Sequence, residues 1–337
     1  MHRKISIIGA GSWGSALASV LNKNGHDVAL WSIIPEEIEM LKNNHENKSK
    51  LPGVSLSEKI HFTSDLEESI KGKDILVFAV PSVFLRSTAK MAAPFVTSGQ
   101  IIVDVAKGIE ENSLLTMSEI IKEEIQAADV AVLSGPSHAE EVGREIPTTV
   151  VVGAKTFDTA KYIQDIFMND IFRVYTSPDM TGIELGGSLK NVIALAAGIS
   201  DGLGFGDNTK AALMTRGIAE ITRLGIAAGG RIETFAGLSG MGDLIVTCTS
   251  QHSRNRKAGY LIGKGHTMQQ AMDAVEMVVE GVYSAKAALA LAKKHDVSMP
   301  IVEQVNAVLF EGKAAKEAVI DLLSRSKKTE HKVTRWE

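Results

Sequence analysis

Cysteine is nearly missing from this 337-residue chain: Cys248 stands alone, so no internal disulfide can staple the fold, and such thiol usage fits a reducing compartment. An excess of basic charge is missing too. Lys and Arg number 36 against 40 Asp and Glu, and the net charge of −4, with signs intermixed, lacks the basic footprint of a nucleic-acid binder. No segment reaches the ~20 uninterrupted apolar residues of a membrane span. The N-terminus imitates a secretory signal, with Met1-His2-Arg3-Lys4 ahead of an apolar run and Ala16-Leu17-Ala18. Three glycines and Trp13 interrupt that run, and cleavage after Ala18 would delete a strand and turn that the following pattern needs. The nine histidines have no metal-ligand spacing, so no metal is expected, and there is no internal repeat or low-complexity linker. What survives these exclusions is a soluble, cytoplasmic protein, not membrane-embedded, whose partners are small molecules or another copy of itself.

What the chain does contain begins at Gly9-Ala10-Gly11-Ser12-Trp13-Gly14. This G-x-G-x-x-G run lies between a β-branched strand, Lys4 to Ile8, and an amphipathic helix expected from Trp13, with Ala16, Leu17, Val20 and Leu21 at helical spacing. The first glycine permits the tight turn, the second lets backbone approach a pyrophosphate, and the third lets the helix lie close on the strand. The helix N-terminus then offers unpaired N–H groups and partial positive charge to the anion. A glycine-rich turn without a ligand would read the same in isolation; the strand before and the helix after favour dinucleotide binding.

Short apolar runs alternate with helical patterns through the first half: Val28 to Trp31, Ile75 to Val80, Ile101 to Val105, Val130 to Leu133 and Thr148 to Val152. Continuous Val/Ile/Leu runs are the mark of parallel strands buried on both faces, so the expected fold is α/β, with an N-terminal doubly wound Rossmann domain. Ligands in such sheets sit beyond the carboxyl ends of the strands, which singles out Pro81-Ser82, Lys107-Gly108 and Gly135-Pro136-Ser137. After Ser177-Pro178-Asp179 strand signal almost vanishes and Ala, Leu, Met, Lys and Glu dominate between glycine-rich turns. The division is therefore expected as residues 1–179, a dinucleotide-binding domain, and 180–337, an all-helical domain, with Ser324 to Glu337 as a helix end and solvated tail.

Three groups of polar residues in the helical half look out of place. Lys190 and Asn191 interrupt an apolar helix, and Lys190 shares a stripe with the small residues Gly187, Ala194 and Ala197. A lysine there is either a desolvated general acid or base, or one snorkelling to solvent from a helix edge. Asp243 and Thr247 lie one helical turn apart; the carboxylate either orients a lysine or caps the helix after Gly242. Ser253-Arg254-Asn255-Arg256-Lys257 opens another helix, where a serine cap, exposed N–H groups, a guanidinium and an amide suit a phosphate dianion; a plain basic turn is the alternative. Other features have structural readings. Asp201 to Asn208 lacks the glutamate of a calcium loop, having Ala212 at its twelfth position. Ser137-His138-Ala139-Glu140 has capping-box spacing, and Cys248 reads as a buried small residue.

Taken in order, Gly9 to Gly14, Val105-Ala106-Lys107-Gly108, Ser134-Gly135-Pro136-Ser137-His138-Ala139, Leu189-Lys190-Asn191, Gly242-Asp243-Leu244 with Thr247, Ser253-Arg254-Asn255 and Val279-Glu280-Gly281 make the chain resemble the NAD(P)-dependent glycerol-3-phosphate dehydrogenase family, in its soluble bacterial form, from about residue 4 to about residue 325. The resemblance implies a helical domain of the 6-phosphogluconate dehydrogenase C-terminal type, NAD(P)H as cofactor, reversible reduction of dihydroxyacetone phosphate to sn-glycerol 3-phosphate for phospholipid synthesis, and a homodimer. It implies that Gly9, Gly11, Ser12, Trp13 and Gly14 form the cofactor turn, with Ala139, Val278 and Glu280 on the nicotinamide side. Lys190 would exchange the proton, with Asp243 and Thr247 beside it, and Lys107 would lie between cofactor and substrate. Gly135, Ser137, Asn191, Asp243, Ser253, Arg254 and Asn255 would hold the substrate, Arg254 also approaching the cofactor. Burial and a second cation lower the pKa of Lys190 whereas Asp243 raises it, so sequence leaves the sign of the net shift open.

One position departs from the family pattern. Rossmann units place a carboxylate for NAD, or an arginine for NADP, at the end of the second strand. Here Trp31-Ser32-Ile33-Ile34 supplies neither, and weak discrimination against NADH is the expectation. Two other classes share some of these features. A β-hydroxyacid or 6-phosphogluconate type dehydrogenase also combines a Rossmann domain with a lysine-asparagine pair, and a non-catalytic NAD(P)-binding protein would give Lys190, Asp243 and Arg254 no reason to coexist.

Overall fold

The computed structural model describes residues 2–327 and 329–330. Eight strands form one sheet: β1 Lys4–Ile8, β2 Asp27–Trp31, β3 His61–Thr63, β4 Ile75–Phe78, β5 Ile101–Asp104, β6 Asp129–Ser134, β7 Thr148–Ala154 and β8 Phe172–Ser177. Their order is β3-β2-β1-β4-β5-β6-β7-β8, so the chain reverses direction across the sheet after β3 and leaves a crevice beyond β1 and β4. Successive side chains serve opposite faces. Ile5, Ile7, Ile75 and Val77 enter the core under the first helix, Ser12–Lys23, while Ile8, Leu76 and Phe78 enter the core under the helices Ser82–Ala92 and Met117–Glu124.

The sheet departs from the sequence reading in two ways. β7 runs antiparallel to β6, although its neighbour β8 is parallel to it. Val150, Val151 and Val152 are as buried as residues of the parallel strands, so composition carries no sign of the reversal. β3 and β8 escaped the reading because β3 spans only His61–Thr63 and β8 alternates buried and exposed residues as an edge strand does.

Beyond β8 the chain is helical as far as it is described. Asp179 caps the helix Met180–Gly202 by accepting from the Gly182 N–H at 2.9 Å, and also accepts from Arg231 N–H and the Thr234 hydroxyl. That helix is buried along nearly its whole length, and the others pack around it. Its glycines set the closest approaches: a Cβ at Gly198 would lie 2.1 Å from the Arg256 carbonyl oxygen, and one at Gly259 equally close to that of Leu195. The helices Met180–Gly202 and Arg254–Gly263 therefore meet backbone to backbone. The last described helix, Ala315–Leu323, ends at Ser324; of the tail expected beyond it, Lys328 and residues 331–337 lie outside the described residues. No helix among the described residues is long and apolar enough to cross a membrane.

Candidate active site

A cavity of about 1040 Å³ runs from the glycine turn across the ends of β1, β4 and β5 to the helical half. Its first end is the dinucleotide cradle. Gly9 has φ +119°, and a Cβ there would come 2.8 Å from the Ala79 carbonyl oxygen. Gly14 is required by packing, since its Cβ would fall 1.9 Å from the Gly9 carbonyl oxygen. Gly11 is different: a Cβ there would meet no protein atom within 4 Å, and it would stand at the cavity wall. No side chain caps the helix that starts at Ser12, one residue earlier than the periodicity suggested. Open space at Gly11 before uncapped helix N–H groups fits a dinucleotide pyrophosphate.

The opposite end holds the polar residues of the helical half. Lys190 is 6% exposed; its Nζ donates to Asp243 Oδ1 at 3.0 Å and to Thr247 Oγ1 at 2.6 Å. Lys107, from the loop after β5, donates to Asp243 Oδ2 at 2.7 Å and to the Gly135 carbonyl at 3.1 Å. One buried carboxylate thus holds two ammonium groups, one on each oxygen. The Thr247 hydroxyl gives its own proton to the Asp243 carbonyl, at 2.6 Å, leaving its oxygen to accept from Lys190. Lys190 is no snorkelling lysine, and Asp243 caps nothing: it is the first residue of the helix Asp243–Thr249, behind a π-helical turn at Leu238–Gly242. The small-residue stripe also acquires a partner, for the Lys107 stem passes over Gly187, where a Cβ would sit 3.5 Å from Lys107 Cγ.

Burial lowers the Lys190 pKa most, the Asp243 carboxylate opposes that shift and Lys107 reinforces it, for a net value of about 8. Burial alone would raise Asp243, but Lys107 and Lys190 outweigh it and hold the carboxyl below its ordinary range. Two of the three Lys190 donors are engaged, which leaves one N–H for the cavity.

The remaining sequence candidates fall as follows. Ser12, Trp13, Ser137, Ala139, Asn191, Ser253, Arg254, Asn255, Val278 and Glu280 all line this cavity. Gly135 does not; its carbonyl instead accepts from Lys107 and, at 3.0 Å, from the Ser137 hydroxyl. That bond replaces the capping box, because His138 is the N-cap residue of the helix Ala139–Gly143 and no side chain caps it. Ser253 does cap its helix, accepting from Arg256 N–H at 3.2 Å. Asn255 donates to Asn191 Oδ1 at 2.9 Å and accepts from the Gly281 N–H at 2.8 Å, tying three helices together at the cavity wall. Asp201 ion-pairs with Lys210 and Arg256, in keeping with the structural reading of its loop. Cys248 is buried, as expected.

Sequence reasoning missed two sets of contacts that join the two halves, one at the cavity wall and one away from it. Both Ser82 donors, the N–H at 3.0 Å and the hydroxyl, go to Glu280, whose pKa burial raises. Glu184, buried in the long helix, accepts from Ser118 N–H, Ser118 Oγ and Thr116 Oγ1, and burial pushes it up to about 7 despite those bonds. A glutamate within an apolar helix was the only available signal.

A Rossmann crevice with a glycine cradle at one end and a lysine on a buried carboxylate at the other defines a nicotinamide-dependent dehydrogenase. Comparison with known proteins narrows this. The models of the NAD-dependent glycerol-3-phosphate dehydrogenase N-terminus and C-terminus match residues 4–160 and 179–320, and the chain belongs to that family. It is similar to glycerol-3-phosphate dehydrogenase [NAD(P)+] of Agathobacter rectalis, 67% identical over 99% of both chains, and to that of Bacillus subtilis, 52% identical over 96% of this chain and 95% of the other. Among solved structures, glycerol-3-phosphate dehydrogenase from Coxiella burnetii superposes with a TM-score of 0.93 at 38% identity, covering 96% of this chain and 99% of that one.

Proposed function

We infer that this enzyme reversibly reduces dihydroxyacetone phosphate to sn-glycerol 3-phosphate with NAD(P)H. The observation that carries the residue assignment is Asp243 shared between Lys107 and Lys190. When bound, the reduced nicotinamide supplies hydride to carbon 2 of the ketone. Lys190 then protonates the alkoxide through its uncommitted N–H and takes the proton back in the oxidation direction. Lys107 stabilises the developing oxyanion, and Asp243 keeps both cations in place at a desolvated site. The Ser253 to Asn255 helix start grips the phosphate, with Arg254 as its charged partner and Asn191 and Asn255 completing the wall. Binding there is remote from carbon 2, so its free energy can orient the carbonyl. Ser137 and Gly135 shape the substrate side through Lys107, while Ser12, Trp13, Ala139, Val278 and Glu280 border the cofactor. We place the division between the two halves at Asp179. We further propose a cytoplasmic homodimer, with no nucleic-acid partner, that feeds phospholipid synthesis.

The test follows reduced-nicotinamide absorbance on adding dihydroxyacetone phosphate, with NADH and NADPH in parallel. Turnover with either establishes the reaction, whereas turnover only with a β-hydroxyacid or 6-phosphogluconate in the oxidising direction would overturn the substrate assignment. The pH dependence has a defined sign. Reduction needs the Lys190 ammonium, so its kcat/KM should fall as pH rises through about 8; oxidation needs the amine and should rise over the same interval. Profiles that move together in both directions would remove Lys190 from the proton transfer.

A further inference from the structure

Beyond the glycine turn the cavity continues to the end of β2, where the fold presents the adenosine ribose of a dinucleotide. The residues directly after the strand carry no charge, yet two charged side chains line the wall there: Glu37, from the first turn of the helix Pro35–Asn44, and Lys50, from the loop after it. One Glu37 carboxylate oxygen ion-pairs with Lys50, and the other accepts from the buried Ser32 hydroxyl at 2.7 Å. Ser32 Oγ accepts in turn from the Ile34 N–H at 3.2 Å. The Lys50 loop is fixed to the cofactor turn itself, because Asn47 donates to the Ala10 carbonyl at 2.9 Å and to Ser15 Oγ at 3.1 Å and accepts from the Lys50 N–H. Glu37 and Lys50 keep 16% and 30% of their side-chain surface exposed, so both reach solvent at the cavity wall while remaining shielded from most of it.

We propose that the Glu37–Lys50 pair reads the ribose 2′ position, Glu37 selecting for a hydroxyl and Lys50 for a phosphate. A carboxylate accepts a hydrogen bond from a hydroxyl but repels a phosphate dianion; an ammonium attracts the dianion far more strongly than a neutral hydroxyl, aided by the N-terminus of the helix at Pro35. Paired, the two charges cancel, and the wild-type site discriminates weakly. Removing either exposes the preference of the other. The specificity determinant therefore lies five residues past Ser32 and across a loop, which is why the strand-end motif alone suggests that none exists. The proposal rests on the reading of this cavity as the dinucleotide site.

Direct calorimetric binding of NADH and NADPH, without substrate, to wild type, Glu37→Gln and Lys50→Met tests it. The ratio of the two dissociation constants should shift roughly tenfold toward NADPH in Glu37→Gln and roughly tenfold toward NADH in Lys50→Met. Any result short of opposite shifts overturns the proposal, including equal weakening of both nucleotides, which is what a merely structural pair would give. Failure of wild type to bind either nucleotide would instead overturn the dinucleotide reading itself.

Discussion

Lys190→Met is expected to lower kcat for dihydroxyacetone phosphate reduction by about 10²–10⁴-fold, the range for loss of a positioned general acid. Methionine keeps much of the lysine volume and removes only the proton carrier. The fold should survive the change for a specific electrostatic reason. Deleting one member of a buried ion pair usually strands the other charge, at a cost of about 3–5 kcal/mol, but Asp243 retains Lys107 at 2.7 Å. Thermal melting close to wild type, unchanged NADH affinity and a collapsed kcat are the expected combination. A kcat within tenfold of wild type would assign the proton to another group. Lys107→Met should differ in kind: Lys190 loses a neighbouring cation that depresses its pKa, so the residual reduction activity should persist to higher pH than in wild type.

The second large effect lies away from the chemistry. Gly198→Ala inserts a methyl group 2.1 Å from the Arg256 carbonyl oxygen and 2.8 Å from the Tyr260 amide nitrogen, both backbone atoms that no rotamer change can move aside. The helices must separate, and overpacking of this kind typically costs about 1–3 kcal/mol. A fall in Tm of roughly 2–4 °C is expected for a chain of this length. Because one helix carries Lys190 and the other begins at Arg254, activity should decline even in molecules that remain folded. Gly11→Ala makes the matching control. Its methyl group meets no protein atom, so Tm should stay near wild type while dinucleotide affinity drops. If both variants lost stability equally, the glycine at position 11 would be needed by the fold and not by the ligand.

The contrast between these two glycines bears on what a sequence makes legible. The cradle could be read because all its parts are local: strand, turn and helix follow within a few residues, and the spacing of Gly9, Gly11 and Gly14 has a steric meaning for each. The Ser253 cap was legible for the same reason. Lys190 and Asp243 were legible only as alternatives, since a buried lysine and a snorkelling one share the same letters until a partner is placed beside them. That partner arrives from 53 residues away, and Lys107 from 136 residues away. Glu280 on Ser82 and Glu184 on Ser118 are likewise contacts between distant segments, with no periodicity to announce them. The capping-box reading at Ser137 failed because the helix begins one residue later than the motif assumes, which turns the serine toward Gly135. The reversal of β7 was illegible because burial on both faces selects the same residues whichever way a strand runs.

Cys248 lies in the same helix as Asp243 and Thr247, fully buried, and burial pushes its thiol up to about 12. At neutral pH almost none of it is thiolate, and no reagent can reach it while that helix is seated. Because it is the chain's single thiol, alkylation becomes a clock for the unseating of the helix whose Asp243 and Thr247 accept from Lys190. Labelling rates measured with and without ligands would then report how firmly each ligand locks the helix Asp243–Thr249 in place, with no engineered probe.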